Sequence, residues 1–334
     1  MTTFPSTSEP RRSRWQDQLR DAIRDVVELA SLLDLPADAI RHADAAADFP
    51  LLVPRAFVAR MRKGDPRDPL LLQILPTALE AVDVPGYTAD PLAEAAHFAE
   101  GGLVRKYRGR SLLVTTGACP VHCRYCFRRS FPYSEQVAAR GAFEAALAAL
   151  DADGTEEVIL SGGDPLSLSD RKLDALLGRL GALRALKRVR IHTRFPIVLP
   201  DRVDAGLIRV LERHPLVRVI VLHSNHPREI DASVAAALAA LRATGVQLLN
   251  QAVLLAGVND DADTLAELCE RLFDCGVLPY YLHLLDPVAG AAHFDVDASR
   301  ARALHAELLE RLPGYLVPRL VREIPGRASK TPIL

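Results

Sequence analysis

From residue 111 onward the chain alternates between two textures. Short runs rich in leucine and β-branched residues predict strands at 111–116 (SLLVTT), 157–160 (EVIL), 188–193 (RVRIHT), 217–222 (VRVIVL), 246–254 (VQLLNQAVL) and 278–284 (LPYYLHL). Alanine- and leucine-rich stretches with helical spacing follow each one, near 137–150, 170–181, 203–213, 231–243, 262–274 and 298–311. Six β-then-α units in series predict parallel strands joined by right-handed crossovers. A doubly wound sheet and an incomplete barrel share that count. The polar residues favour the barrel. Gly162-Gly163-Asp164, Arg194, His223 to His226, Asn250-Gln251 and Asp286 all fall just past a strand. In a barrel they would ring one mouth, where barrel enzymes place their chemistry. The expectation is an α/β fold, a six-unit partial TIM-like barrel.

Upstream the pattern changes. "WQDQLRDAIRDVVELASLL" has helical apolar spacing, "DPLLLQILPTALEAV" is a shorter apolar run, and proline and aspartate punctuate both. The predicted organisation is a mainly helical N-terminal region (1–105), the barrel (106–315) and a C-terminal segment (316–334).

Composition narrows the function classes. A net charge of −1 gives no broad field to hold nucleic acid or an anionic membrane. "MTTFPSTSEPRRSRW" lacks the apolar core of a signal peptide, and no window approaches 18 apolar residues. A cytoplasmic protein is expected. Five cysteines, an odd number without an export signal, argue against a disulfide framework.

Three of those cysteines, Cys119, Cys123 and Cys126, lie within "ACPVHCRYCFRR" in the pattern C-x3-C-x2-C. Three thiolates in one loop can fill three corners of a cubane iron–sulfur cluster and leave the fourth iron open. A structural zinc site would need another ligand, for which His122, Cys269 and Cys275 are the candidates, and no second C-x2-C exists. The histidine pair His223 and His226 lacks nearby cysteine or carboxylate partners and reads as structural or cavity-lining, and Cys269 and Cys275 read as buried thiols.

C-x3-C-x-aromatic-C, with Tyr125 as the aromatic residue, resembles the signature of the radical S-adenosylmethionine (SAM) superfamily. "LSGGDP" resembles that superfamily's glycine-rich SAM-binding segment, which implies SAM contacts at Gly162, Gly163 and Asp164. Together with "NQAVLLAGVND", "PYYLHLLD", "AAHF", "GYLVPRL" and "SKTP", these motifs resemble the lysine 2,3-aminomutase family across nearly the whole chain.

The resemblance implies an isomerase with a [4Fe-4S] cluster, SAM and pyridoxal 5′-phosphate (PLP), converting L-lysine to β-lysine. It assigns the PLP Schiff base to Lys330. Only five of the 41 basic residues are lysines, and an imine needs a primary amine that can lose its proton, which arginine is not. It places the substrate carboxylate on Arg128 and the substrate ammonium between Asp286 and Glu323, the latter standing where better-known aminomutases carry aspartate. It sets Asn250, Gln251, Lys106 and Arg110 near the PLP phosphate.

The chain stops four residues after Lys330. With Lys106 and Glu323, that ending resembles the branch supplying β-lysine for modification of elongation factor P. The partners implied are a flavodoxin- or ferredoxin-like reductant and a functional link to the elongation factor P ligase, with no nucleic acid and no membrane. A homo-oligomer stays open. Two rivals remain: an aminomutase for arginine or another cationic amino acid, and a non-catalytic iron–sulfur or electron-transfer protein.

Overall fold

A computed structural model describes residues 15–40, 49–99, 101–132 and 142–334. All six predicted strands form, and four more join them. The ten strands run β1 (Phe98–Ala99), β2 (Leu103–Tyr107), β3 (Arg110–Thr116), β4 (Glu157–Gly162), β5 (Arg188–Thr193), β6 (Val217–Leu222), β7 (Gln247–Val253), β8 (Val277–His283), β9 (Arg319–Arg322) and β10 (Thr331–Pro332). They lie in one sheet in chain order. β3 to β9 are parallel, while β1, β2 and β10 are antiparallel additions at the two edges.

Strand order never reverses, which excludes the doubly wound alternative. Right-handed crossovers then put every helix on one face, and the other face curls on itself. Residues from β4, β5, β7, β8 and the end of β9 line one common cavity, as a curled sheet requires. The count of six falls one short: β9 is a seventh parallel strand. Its four residues, RLVR, alternate too briefly to stand out. The sheet also runs without a break across both expected boundaries, at 105/106 and 315/316.

The helices sit close to their expected ranges: Asp170–Leu180, Ala205–Arg213, Ala232–Ala243, Ala262–Asp274 and Ala298–Arg311. Each begins on a side chain that accepts from the first turn: Ser169, Asp204, Asp231, Asp261 and Asp297. Such caps contribute about 1 kcal/mol each. A helix at Ala142–Ala152 matches part of the predicted 137–150, whose first five residues lie outside the described set, as does most of the N-terminal "MTTFPSTSEPRRSRW".

The long N-terminal helix expected in "WQDQLRDAIRDVVELASLL" is interrupted. Trp15–Arg20 and Val26–Leu32 are separate helices because Ile23 bridges to Val53 and Asp25 caps the second helix. The break seats the segment on the barrel, with Trp15 edge-on to Phe195 at 5.5 Å and Arg202 4.7 Å above its ring.

One buried carboxylate in this N-terminal layer holds the cysteine loop. Glu80 bonds the guanidinium groups of Arg124, Nε at 2.8 Å, and of Arg129. Arg124 is fully buried between Cys123 and Cys126 in sequence. Glu80→Ala would leave two cations without their counter-charge. It should lower the unfolding free energy by about 3–5 kcal/mol, readable as a shift in a urea titration.

Candidate active site

The cavity inside the barrel mouth measures about 180 Å3 and is lined by Cys119, Cys123, Cys126, Tyr125, Arg128, Gly162, Gly163, Asp164, Gln251, Asp286 and Glu323. It thus gathers most residues singled out in the sequence. Among the described residues, no three His, Cys, Asp or Glu side chains converge on a single ion. Three ligands at separate corners of a cubane need not converge, whereas a zinc ion's must. His122 bonds the Pro50 carbonyl at 2.8 Å and stacks on Phe49. Cys269 is buried in its helix. Burial pushes the Cys119 thiol well up and that of Cys126 up to about 11, so both hold their protons until a cation replaces them.

The glycines are required by a close approach. A Cβ on Gly163 would stand 2.4 Å from the Ala118 carbonyl oxygen, and one on Gly162 2.7 Å from that of Thr116. Gly162 also has φ +117°, which disfavours any L side chain. Gly163 N–H donates to Thr116 O at 2.7 Å and Asp164 N–H to Ala118 O at 2.8 Å. The strand end therefore grips the start of the cysteine loop. The Asp164 carboxylate is taken up elsewhere: it accepts from Thr193 Oγ1, Arg194 N, Leu166 N and Phe195 N, strapping β4 to β5. Burial still lifts it to about 6 against those donors.

Behind the loop lies a buried polar network invisible in the sequence. Arg194 donates to Cys123 Sγ at 2.7 Å, to Gln73 Oε1 at 2.7 Å and to Glu229 at 3.2 Å. Asn225 Nδ2 donates to the Tyr125 hydroxyl at 2.7 Å. Three distant segments, at Gln73, Arg194 and Asn225 to Glu229, thereby fix one cysteine and the aromatic residue of the motif.

On the other wall an alternating chain of charges crosses the mouth. Arg128 grips Glu94 with two bonds, 2.7 and 3.0 Å, and also reaches Ser161 Oγ at 3.1 Å. Lys106 lies between Glu94 (3.4 Å) and Glu323 (3.1 Å), and Glu323 Oε2 accepts from Lys330 Nζ at 2.7 Å. Burial would raise both glutamates, but the flanking cations prevail: Glu94 is lowered and Glu323 falls to about 2. At Asp286 burial outweighs the pull of nearby Lys330 and Lys106. Its Oδ1 is buried without a hydrogen-bond partner, and burial with neighbouring Glu323 lifts the carboxyl to about 7.

Lys330 lines a second cavity of about 410 Å3 with Arg110, Arg190, Arg319, Tyr280 and Tyr281. A register shift where β7 passes from Asn250 to Gln251 inserts one extra residue in β8. Neighbouring Tyr280 and Tyr281 can therefore face the same way, hydroxyls 2.9 Å apart, with Lys330 Nζ 5.8 Å over the Tyr281 ring. β10 fixes this lysine by pairing Thr331 with Arg322 and Pro332 with Val321.

Two of the expected phosphate residues make other contacts in this structure. Asn250 points away from both cavities, its amide bonded to the N–H and C=O of Ser224, because adjacent strand residues face opposite sides. Lys106 is held by two carboxylates rather than facing the Lys330 cavity. Gln251 stays on the inner face, 3.0 Å from His223. His192 and His283 also line the inner cavity, each with a buried Nε2 lacking a partner. Burial first, then nearby cations, holds these histidines neutral, His223 at about 3.

Sequence reasoning missed Glu94, His192 and His283, and it placed Arg194 at the mouth without giving it a role. Glu94 reads as a solvated acid in "DPLAEAA"; His192 and His283 could have been found from their place in period-2 strands.

The profile of the Radical SAM superfamily matches residues 113–272. L-lysine 2,3-aminomutase of Escherichia coli is 47% identical over 336 residues, covering 100% of this chain and 98% of that protein. The Haemophilus influenzae enzyme of the same name is 45% identical over 95% of this chain and 94% of its own length. That of Clostridium subterminale is 32% identical over 99% of this chain and 80% of its own length. With a cysteine-lined mouth, a matching superfamily profile and identity sustained end to end, the chain belongs to the L-lysine 2,3-aminomutase family of the radical SAM superfamily.

Proposed function

We propose that the protein converts L-α-lysine to β-lysine by a radical SAM, PLP-dependent 2,3-amino shift. One observation carries the reading: a continuous chain of ion pairs joins the cysteine-lined cavity to the cavity that holds Lys330. The residues present fit the three groups. Cys119, Cys123 and Cys126 would hold the cluster, leaving one iron for SAM beside Tyr125 and Gly162-Gly163. Lys330 would hold PLP, with its phosphate toward Arg110 and the partly unpaired Arg190, whose Nε is buried without a partner.

When bound, these groups supply a 5′-deoxyadenosyl radical and an electrophilic aldehyde; the chain supplies position and exclusion of water. Arg128 would turn its guanidinium to the substrate carboxylate in exchange for contacts it now makes with Glu94 and Ser161. Asp286 draws a cationic side chain, and the acids at that end disfavour glutamate as a substrate. The neutral histidines add no positive charge that would repel the cationic substrate. In this reading the divisions at 105/106 and 315/316 are functional ones: β3 to β8 lie within 106–315, and 316–334 adds β9 and carries the PLP lysine.

Anaerobic incubation with SAM, PLP, a reductant and lysine, followed by separation of α- from β-lysine, tests this. Cleavage of SAM without any β-lysine would refute it, and faster turnover of arginine would move the substrate to that amino acid. Stoichiometric PLP on Lys330 excludes a purely electron-transferring protein.

The biological role proposed is supply of β-lysine in the cytoplasm for elongation factor P, with electrons from a flavodoxin- or ferredoxin-like protein. No described helix is long and apolar enough to cross a membrane. Cells lacking the protein should contain elongation factor P without β-lysine; finding the modification there would contradict the assignment.

A further inference from the structure

We propose that Arg194 is a positioning residue for the iron–sulfur cluster: anchored by Glu229, its guanidinium donates to the Cys123 sulfur and sets the potential at which the cluster takes up its electron. The inference rests on reading Cys119, Cys123 and Cys126 as the cluster ligands.

The first observation is reach. Arg194 Nη1 donates to Cys123 Sγ at 2.7 Å from 71 positions along the chain. The cysteines differ in this respect. The backbone N–H of Arg128, an uncharged donor, meets Cys126, whereas the donor on Cys123 carries a full charge.

The second is anchorage. Nη2 donates to Gln73 Oε1 at 2.7 Å and to Glu229 Oε2 at 3.2 Å, and the Arg194 backbone N–H donates to Asp164 Oδ2 at 2.7 Å. Glu229 is itself fully buried and fixed, its Oε1 accepting from Gln73 Nε2 and from the Asn225 N–H, both at 3.0 Å. The guanidinium also lies 5.5 Å from the Phe57 ring centroid and 5.6 Å from that of Tyr125. Neutralising Glu229 would not by itself require contact with a cysteine.

The third is cost. Among the described residues, Arg194 Nε is buried with no hydrogen-bond partner. An unmatched donor of that kind costs about 1–3 kcal/mol. The side chain forgoes one bond and keeps its two terminal nitrogens on the sulfur and the anchors.

The chemistry gives that geometry a use. One electron passes from a flavodoxin- or ferredoxin-like reductant to the cluster, taking it from the 2+ to the 1+ state, and no bond forms or breaks. The added negative charge spreads over the sulfurs, so a charged N–H on one of them is stronger after reduction than before. Hydrogen bonds to sulfur and local net charge are the levers that set such potentials. Arg194 therefore raises the potential, and Glu229, bringing the opposite charge, limits the rise.

The test is a redox titration of anaerobically reconstituted full-length protein without SAM, read from the low-temperature paramagnetic signal of the 1+ cluster beside its iron content. Arg194→Met removes donor and charge together. It should lower the midpoint by about 60 mV or more, a tenfold change in a one-electron equilibrium. Arg194→Lys keeps the charge and should recover part of that shift. Glu229→Gln keeps the donor and removes its counter-charge, so the midpoint should move the other way, upward. Opposite signs from the two halves of one ion pair are not what a packing defect produces. Because Arg194→Met leaves Glu229 buried and unpaired, the double variant Arg194→Met/Glu229→Gln is measured as well and should also fall below wild type. Where the Arg194 variants fail to fold or to hold iron, Glu229→Gln decides. A midpoint unmoved or lowered in Glu229→Gln, or unmoved in the double variant at full iron content, would overturn the proposal. Wild-type protein that binds no cluster would overturn the reading of the three cysteines instead.

Discussion

Lys330→Arg should abolish covalent attachment of PLP and lower β-lysine formation by about 10,000-fold or more, the scale of loss when one member of a catalytic unit is removed. Arginine is the informative replacement. It keeps a positive charge for Glu323, whose carboxylate otherwise loses its 2.7 Å partner, so the mouth stays electrostatically intact. It cannot form the imine, because a guanidinium does not give up its proton near neutral pH. The backbone around it is held by the Thr331–Arg322 and Pro332–Val321 pairing and by Ile333 N–H to Leu320 O at 3.0 Å. Fold and melting temperature should therefore change little. The measurements are loss of imine absorbance, absence of a borohydride-trapped adduct, and unchanged iron content and SAM cleavage. Persistent trapping at another lysine would reassign the anchor, with few candidates among only five lysines.

What the sequence could and could not show follows from the range of each signal. Strand and helix ranges from 157 to 311 came from local periodicity, and Asp or Ser caps mark the helix starts in the chain itself. The cysteine spacing and the lone lysine of the tail were also local. β9 and β10 were not, because four residues and two residues carry no period. Their existence depends on neighbours already in place. That Asn250 faces away from Gln251 was legible too, because neighbouring residues on β7 point to opposite sides. Glu80 and Glu94 were out of reach for a different reason. Each is a buried charge whose meaning lies in a partner 34 or 44 positions away, and nothing in "TALEA" or "PLAEA" distinguishes it from a solvated one.

Cys123→Ser should lose the cluster and with it SAM cleavage, falling by about a thousandfold or more, while PLP still attaches to Lys330. Serine is chosen over alanine for the sake of Arg194. That guanidinium is buried and donates to Cys123 Sγ, Gln73 and Glu229. A hydroxyl preserves an acceptor for it, so a loss of function would not be a loss of fold. The serine proton is far harder to remove than a thiol proton, and the softer sulfur is the better iron ligand. Two cysteines alone would leave a cubane with two open corners. Cys119 and Cys126, both pushed toward the neutral thiol by burial, have no charge of their own to compensate. The readouts are iron content and the low-temperature paramagnetic signal of the reduced cluster, with borohydride trapping at Lys330 as the internal control. The prediction separates cleanly from that for Lys330→Arg. The cysteines sit after β3 and Lys330 before β10, near opposite ends of the strand order and on different cavities, so each cofactor should be removable without the other. A Cys123→Ser protein that kept its iron and its SAM cleavage would show that Cys123 is no ligand. One that lost PLP together with the iron would show that the two cavities fold as a single unit, which the Lys106 and Glu94 bridge between Glu323 and Arg128 would then have to explain.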